Sequence, residues 1–378
     1  MLCHRGVGGS VRIAYELAKA LAARGHTTYL FARSPPFGRS DGAGGVRLRT
    51  LCVEPELTTR LDADWSSADV EALADLTASV ELDVLHYHYA VPFAAVAQAV
   101  RARLGDAAPA VVGTLHGTDV SGFGRDPARV AQIAPLLDGA DALTTVSQSF
   151  AGLAVELFGL QRAPIVLPNF LDLPRFGPHV RGAGGPARVA HVSNLRPVKQ
   201  PEVMARIFAA ARRRVDAELW LVGAGEGSDA VDAIVTGAGV GDSVVRLGLR
   251  TDLEAILPHT DVLLMTSRSE SFCLAALEAA ACGLPTVAPR VGGLPELVRD
   301  GVSGLLFDEG DEAAGVDALV TLLRDDLLRA RMGRAARAVA TEFAATVVVP
   351  RYEALYRELL GRAGLGTLDR GRMPSCAS

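Results

Sequence analysis

Two facing doubly wound α/β units with a ligand cleft between them are what this 378-residue sequence predicts. Three observations carry the prediction. Short apolar runs alternate with helical stretches, the pattern of parallel sheets covered by helices. The alternation stops at a Pro- and Gly-rich stretch, "LDLPRFGPHVRGAGGPA" (171–187), and then restarts. The glycine, histidine and charged clusters follow the apolar runs, where ligands sit in doubly wound sheets.

The elements are justified in chain order. In the first unit, 1–170, strands are expected at 28–32, 46–51, 84–86, 110–115 and 142–146, with residues 164–168 closing the unit. Helices are expected at 10–24, 67–79, 92–104, 126–137 and 147–157. Residues 171–187 read as the linker. In the second unit, 188–345, strands are expected at 188–192, 218–222, 244–247, 262–265, 286–288 and 304–307. Helices are expected at 201–213, 229–238, 253–257, 274–281, 294–299, 312–324 and 327–340. A last helix near 350–361, within 346–361, crosses back to the first unit, and 362–378 read as a disordered tail. The first unit opens oddly, because only "MLCH" precedes a glycine loop where a full strand belongs. Either that strand is very short or the start lies a few residues late; a missing strand leaves a gap or a frayed edge.

Composition narrows the function. Apolar residues make up 49% and charged residues 21%, so the chain is globular. Net charge of -5 argues against a nucleic-acid partner. The five cysteines, Cys3, Cys52, Cys273, Cys282 and Cys376, are odd in number and scattered, which fits a reducing, cytoplasmic setting without a disulfide framework. No apolar run is long enough to span a membrane, and the N-terminus lacks the pattern of a signal peptide. Only two of 38 basic residues are lysine, Lys19 and Lys199. A retained lysine in so Arg-biased a chain hints at a need for a compact charge.

Several stretches carry candidate chemistry, each beside a plainer reading. "GVGGS" (6–10), with Gly8, Gly9 and Ser10, opens a helix; it is an anion loop or only a tight turn. It is neither G-x-G-x-x-G nor a P-loop, which argues against a nicotinamide oxidoreductase. "HVSNLRPVKQ" (191–200) sets Arg196 and Lys199 three apart at a strand end, a diphosphate clamp or a pair of solvated charges. In "SRSESFCLAALEA" (267–279), residues 271–274 (Ser271, Phe272, Cys273 and Leu274) form a helix start with free N–H groups suited to a diphosphate. Glu270 lies just before that helix, and Glu278 sits within it among alanines and leucine, where a carboxylate needs a partner. The first suits sugar hydroxyls and the second a ribose; the plainer reading makes them helix-end and surface charges. "TLHGTD" (114–119) puts His116 at a strand end, in a cleft or as a structural histidine. His86 and His88 share one strand face, but no third ligand is near, so no metal is expected. Asp62 and Asp64 form a D-x-D pair in a polar stretch and read as loop or cap charges.

With E-S-F-x-L-x-x-L-E and "ACGLPTVAPRVGGLPELVRDGVSGLLF" in view, the chain resembles the retaining glycosyltransferases of family 4, from about Gly6 to Gly361. The resemblance implies the GT-B fold, transfer from a nucleotide sugar to a small-molecule acceptor, no separate cofactor and a homodimer. It implies that Gly8 and Gly9 belong to a phosphate and acceptor loop, and that Arg196 and Lys199 hold the diphosphate. It places Glu270 on the transferred sugar, Glu278 on the ribose and His116 near the sugar. Tyr89, Thr118 and Ser147 match acceptor-side positions. Among the nearest subfamily, which uses UDP-N-acetylglucosamine and L-malate, glycine is usual after Ser10 and after Phe272. Here Val11, followed by Arg12, and Cys273 stand there. Arg12 can hold an acceptor carboxylate or be a solvated helix charge, and both departures leave donor and acceptor open. A natural-product tailoring glycosyltransferase with another sugar, and a sugar-nucleotide-binding protein without catalysis, are the competing readings.

Overall fold

The computed structural model describes residues 1–4, 8–32, 45–50, 67–180 and 184–362. The expected tail from 363 and the Asp62/Asp64 pair lie outside the described residues.

The first unit runs α1 (Gly9–Ala23), β1 (Thr28–Ala32), β2 (Val46–Thr50), α2 (Ser67–Ser79), β3 (Val84–His88), α3 (Phe93–Leu104), β4 (Ala110–Leu115), α4 (Thr118–Ser121), α5 (Pro127–Asp138), β5 (Ala142–Thr145), α6 (Gln148–Phe158) and β6 (Ile165–Val166). β3, β4, β5 and β6 lie side by side in that order, and β1 pairs with β2, all parallel. The short N-terminal stretch fills the space between the two sets. Leu2 bridges Phe31 of β1 and Tyr87 of β3, with its N–H donating to the His86 carbonyl at 2.8 Å. Within the "MLCH" stub, Leu2 thus takes a strand position between β1 and β3.

The second unit runs β7 (Ala187–Val192), α7 (Pro201–Arg212), β8 (Ala217–Val222), α8 (Ser228–Gly237), β9 (Val244–Gly248), α9 (Leu253–Ile256), β10 (Val262–Leu264), α10 (Leu274–Ala281), β11 (Thr286–Pro289), α11 (Leu294–Leu297), β12 (Gly304–Phe307), α12 (Glu312–Arg324) and α13 (Asp326–Glu342). Its sheet has the order β12-β11-β10-β7-β8-β9. The chain leaves β7 in one direction for β8 and returns on its other side at β10. That reversal is a topological switch point, and it opens a crevice at the carboxyl ends of β7 and β10.

α14 (Ala345–Arg362) begins five residues before the predicted start at Pro350 and packs Val348, Tyr352 and Leu359 on Ile13 and Leu17 of α1 in the first unit. Pro350 sits inside the helix rather than at its start, and its missing N–H forgoes the bond to the Thr346 carbonyl. The contact is sealed by Glu353. Its buried carboxylate accepts from Arg24 at 2.8 and 2.7 Å and contacts His26 at 2.9 Å. The Arg24 hydrogen bond, with His26 behind it, holds this carboxyl down from 4.5 to about 2. A depressed carboxyl stabilises the fold above its unfolded pKa and stops doing so as pH falls through the folded one. Because Arg24 is partly solvated, the contribution is on the order of 1–2 kcal/mol. Glu353→Gln is expected to be less stable by that amount at pH 7, with the two urea-unfolding curves converging as pH drops from 4.5 toward 2. Equal stability at pH 7 would contradict this.

Candidate functional site

The loops that follow the strands of both units meet around a cavity of about 680 Å³. This volume suits a nucleotide-sized ligand. The first unit contributes Gly8, Gly9, Ser10 and Arg12 at the start of α1, Tyr89 after β3, and His116 with Thr118 after β4. The second contributes Arg196 and Lys199 after β7, and Glu270, Ser271, Cys273, Leu274 and Glu278 after β10.

The switch-point crevice brings Lys199 and Glu270 together. Lys199 ends a tight turn after β7, and its Nζ donates to Glu270 Oε1 at 2.6 Å. Ser267 Oγ donates to the same oxygen at 2.7 Å. Burial works against the lysine's charge, but the Glu270 carboxylate and its neighbours outweigh it, and the Lys199 pKa moves up. The ammonium therefore stays protonated. Arg196, three residues earlier, lines the same cavity and has no carboxylate partner among the described residues.

Backbone strain gathers around the cleft, on both units. Tyr89, Leu195, Gln200 and Cys273 have φ of +89°, +47°, +47° and +79°. Such non-glycine conformations persist only where packing over-determines them, and they cluster at binding sites. At Cys273 the strain turns the chain into α10, whose first N–H groups face the cavity. Burial pushes the Cys273 thiol well up, so it remains protonated and is no nucleophile.

On the opposite wall His116 is buried, and its Nε2 lies 3.0 Å from Nδ1 of His88. Burial lowers its pKa to about 3, so the ring is neutral at physiological pH. His86, on the same strand face as His88, is held by Thr114 Oγ1 and the Tyr356 hydroxyl, both at 2.7 Å. Among the described residues no three His, Cys, Asp or Glu side chains are grouped to hold a metal. The Tyr89 hydroxyl is hydrogen-bonded to Thr118 Oγ1 at the cavity edge.

Three polar links tie the walls. Ser271 Oγ donates to the His116 carbonyl, and Ser147 Oγ donates to the Ser271 carbonyl at 2.7 Å. Arg12 of α1 forms an ion pair with Glu278 of α10. Sequence reasoning left Arg12 between an acceptor carboxylate and solvent; here it is instead the partner that the buried Glu278 requires. Burial raises the Glu278 pKa, and Arg12 opposes that rise. Two expected site residues do not line the cavity. Ser147 caps α6 and bridges the units, and Phe272 points into the core against Phe343, 5.4 Å between ring centres.

Other residues that shape the site were not singled out from sequence. Asp119, fully buried, accepts from the N–H groups of His116, Gly117 and Ala90 and so fixes the His116 turn. Glu296 reaches from the second unit to accept from the N–H groups of Gln148 and Ser149, both at 2.9 Å, at the start of α6. Gly292 and Gly293 support Glu270 and Ser271 from behind: a Cβ on Gly292 would lie 1.9 Å from the Glu270 carbonyl oxygen. An Asp two or three residues past a His-Gly turn, and a Gly-Gly pair after a strand, are the available signals for two of these.

Comparison with known proteins accords with this arrangement. Family models described as "Glycosyltransferase Family 4" and "Glycosyl transferases group 1" match residues 7–175 and 186–325. The N-acetyl-alpha-D-glucosaminyl L-malate synthase of Bacillus anthracis is 31% identical over 95% of this chain and 96% of its own length. Sucrose-phosphate synthase from Thermosynechococcus elongatus superposes with a TM-score of 0.82 at 21% identity, covering 96% of this chain and 99% of that one. Anabaena Alr3699/HepE in complex with UDP and glucose does so with a TM-score of 0.78 at 19% identity, covering 94% and 99%. Among the described residues no helix is long and apolar enough to cross a membrane. The chain has the GT-B fold and belongs to the family 4 glycosyltransferases.

Proposed function

We propose that this enzyme moves a sugar, with retained anomeric configuration, from a nucleoside diphosphate sugar to a small hydroxylated acceptor. The observation that carries the reading is the Lys199–Glu270 pair, set beside the N-terminus of α10 and the unpaired Arg196 on one cavity wall. A diphosphate at that helix end meets free N–H groups and two cations. Glu270 then faces the sugar attached to the diphosphate, and Glu278, one helical turn along α10, faces the ribose. Gly8 and Gly9 let the backbone of α1 approach the phosphates. Tyr89, Thr118 and Ser10 border the acceptor space.

The donor is UDP-N-acetylglucosamine and the acceptor L-malate in this reading, which rests on the Bacillus anthracis relative, named for that product, and on the UDP complex of the Anabaena protein. Glu270 is engaged by Lys199 and Ser267, which disfavours it as a nucleophile. The family resemblance implies a front-face exchange. The bond from the anomeric carbon to the phosphate oxygen breaks as the bond to the acceptor oxygen forms, and the departing phosphate oxygen takes the acceptor's proton. His116, neutral and buried, contributes shape and hydrogen bonding rather than charge. The protein supplies positioning and cationic stabilisation of the leaving diphosphate. No metal has a part in this scheme, so activity persists in chelator.

A second reading has a specific support. Cys273 stands where the pattern of the resembled subfamily has glycine, and it lines the cavity beside Leu274, which fits a tailoring enzyme with a different sugar. Mass analysis and proton NMR of the product from UDP-N-acetylglucosamine and L-malate separate the two. An α-linked glycosyl malate supports the first reading. A β-linked product contradicts retention, and a product only with another donor supports the second.

A further inference from the structure

Two helices from opposite units abut end to end at the cavity. The site of a Cβ on Gly9 lies 3.3 Å from Leu274 Cδ1, so the N-termini of α1 and α10 converge on one spot. Arg12 lies three residues into α1 and Glu278 four residues beyond Leu274 in α10. Their ion pair therefore spans the cleft one helical turn in from that spot. The two partners are unequal: the Glu278 side chain is 2% exposed and rigidly placed, whereas the Arg12 side chain is 25% exposed and ends a flexible stem. Of the other cleft cations, Lys199, Arg175 and Arg250 are held by Glu270, Glu254 and Asp252, whereas Arg196 has no carboxylate partner among the described residues.

The Arg12–Glu278 contact stands in the way of the ribose in the reading proposed above, on which this inference rests. Breaking it for an uncharged diol alone leaves a cation without its counter-charge, a costly exchange. A nucleotide carries both replacements. Its vicinal diol and its 5′ phosphate are one furanose ring apart, of the same order as the ~5 Å rise of a helical turn. With the diol on Glu278, the phosphate lies toward the converging helix ends, within the sweep of the Arg12 side chain.

We propose that Arg12 is a donor-selecting residue that trades Glu278 for the donor's phosphate: the ribose hydroxyls take over the carboxylate and the guanidinium moves onto the diphosphate. The exchange makes the cleft demand a diol and an anion in one molecule. Nucleosides, which offer only the diol, are rejected, and the ribose carboxylate stays neutralised while the cleft is empty.

The test is calorimetric titration of the full chain with a nucleoside diphosphate and its matching nucleoside, UDP and uridine first, then GDP and ADP with theirs. Wild type, Arg12→Met and Arg12→Lys are compared, with thermal unfolding to check each fold. Wild type is expected to prefer the diphosphate by at least about 100-fold. In Arg12→Met the diphosphate weakens about tenfold, while the nucleoside binds more tightly than to wild type because no ion pair must be broken. Arg12→Lys regains part of the diphosphate affinity. The rise in nucleoside affinity is the diagnostic outcome. A plain phosphate-clamp arginine leaves nucleoside binding unchanged, and a purely structural one weakens both ligands; either result overturns the proposal. Diphosphate binding without that rise defeats only the role of Arg12. Absence of binding by every nucleoside diphosphate tried defeats the glycosyltransferase reading beneath it.

Discussion

Replacing Lys199 by alanine lowers turnover by about 100- to 1,000-fold, the usual cost of losing one preorganised electrostatic contact to a developing charge. The Nζ of Lys199 is 2.6 Å from Glu270 and borders the cavity, where the proposed reading puts the departing diphosphate. In that reading its loss removes both a counter-charge for the leaving group and the anchor of the carboxylate proposed to face the sugar. The fold survives, at a cost of about 1–2 kcal/mol, because Glu270 keeps Ser267 and adjoins a solvent-filled cleft. Lys199→Arg recovers little, since a planar guanidinium does not fit the place of a compact ammonium at that distance. Steady-state rates with donor and acceptor, beside a thermal unfolding curve, check this. Near-normal turnover in a folded Lys199→Ala protein takes the residue out of the mechanism.

Gly292→Ala has a comparable effect by a different route. The added Cβ would lie 1.9 Å from the Glu270 carbonyl oxygen, and φ of +52° is itself unfavourable for alanine. Both terms act on one loop, so stability falls by about 3 kcal/mol. The obstructing atom is backbone and cannot swing aside, so Glu270 must shift. A displacement near 1 Å costs on the order of 100-fold in rate. Gly301→Ala separates the two terms. Its φ is +70°, but nothing lies within 4 Å of the new Cβ. It is expected to cost only about 1 kcal/mol and leave the rate unchanged. Equal rates for Gly292→Ala and wild type would show that Glu270 tolerates movement.

The alternation of apolar strand and helix was enough to read both sheets, because parallel strands buried on two faces are continuous hydrophobic runs. β4, β12, α2, α10 and α12 match the expected bounds. The start of α14 was missed because a proline reads as a helix N-terminus, whereas Pro350 lies inside the helix, past its first turn. The clusters around Glu270 and His116 were legible because charged and histidine residues stood at strand ends. What was illegible depends on contacts between distant segments. No local signal tells that Arg12 meets Glu278, that Ser147 bridges to Ser271, or that Gly292 supports Glu270. Each lies more than 20 residues from its partner in sequence; the first two pairs meet only where the units face each other, and the third only through the folding of the second unit.

The central claim is that the cleft transfers a sugar from a nucleoside diphosphate. Its most direct measurement is nucleotide release from UDP-N-acetylglucosamine by the purified chain in chelator, with and without L-malate, for wild type, Lys199→Ala and Glu270→Gln. The account predicts release that depends on malate in wild type and is nearly lost in both variants. Equal release from all three folded proteins, or none from wild type with any sugar nucleotide tried, would contradict it.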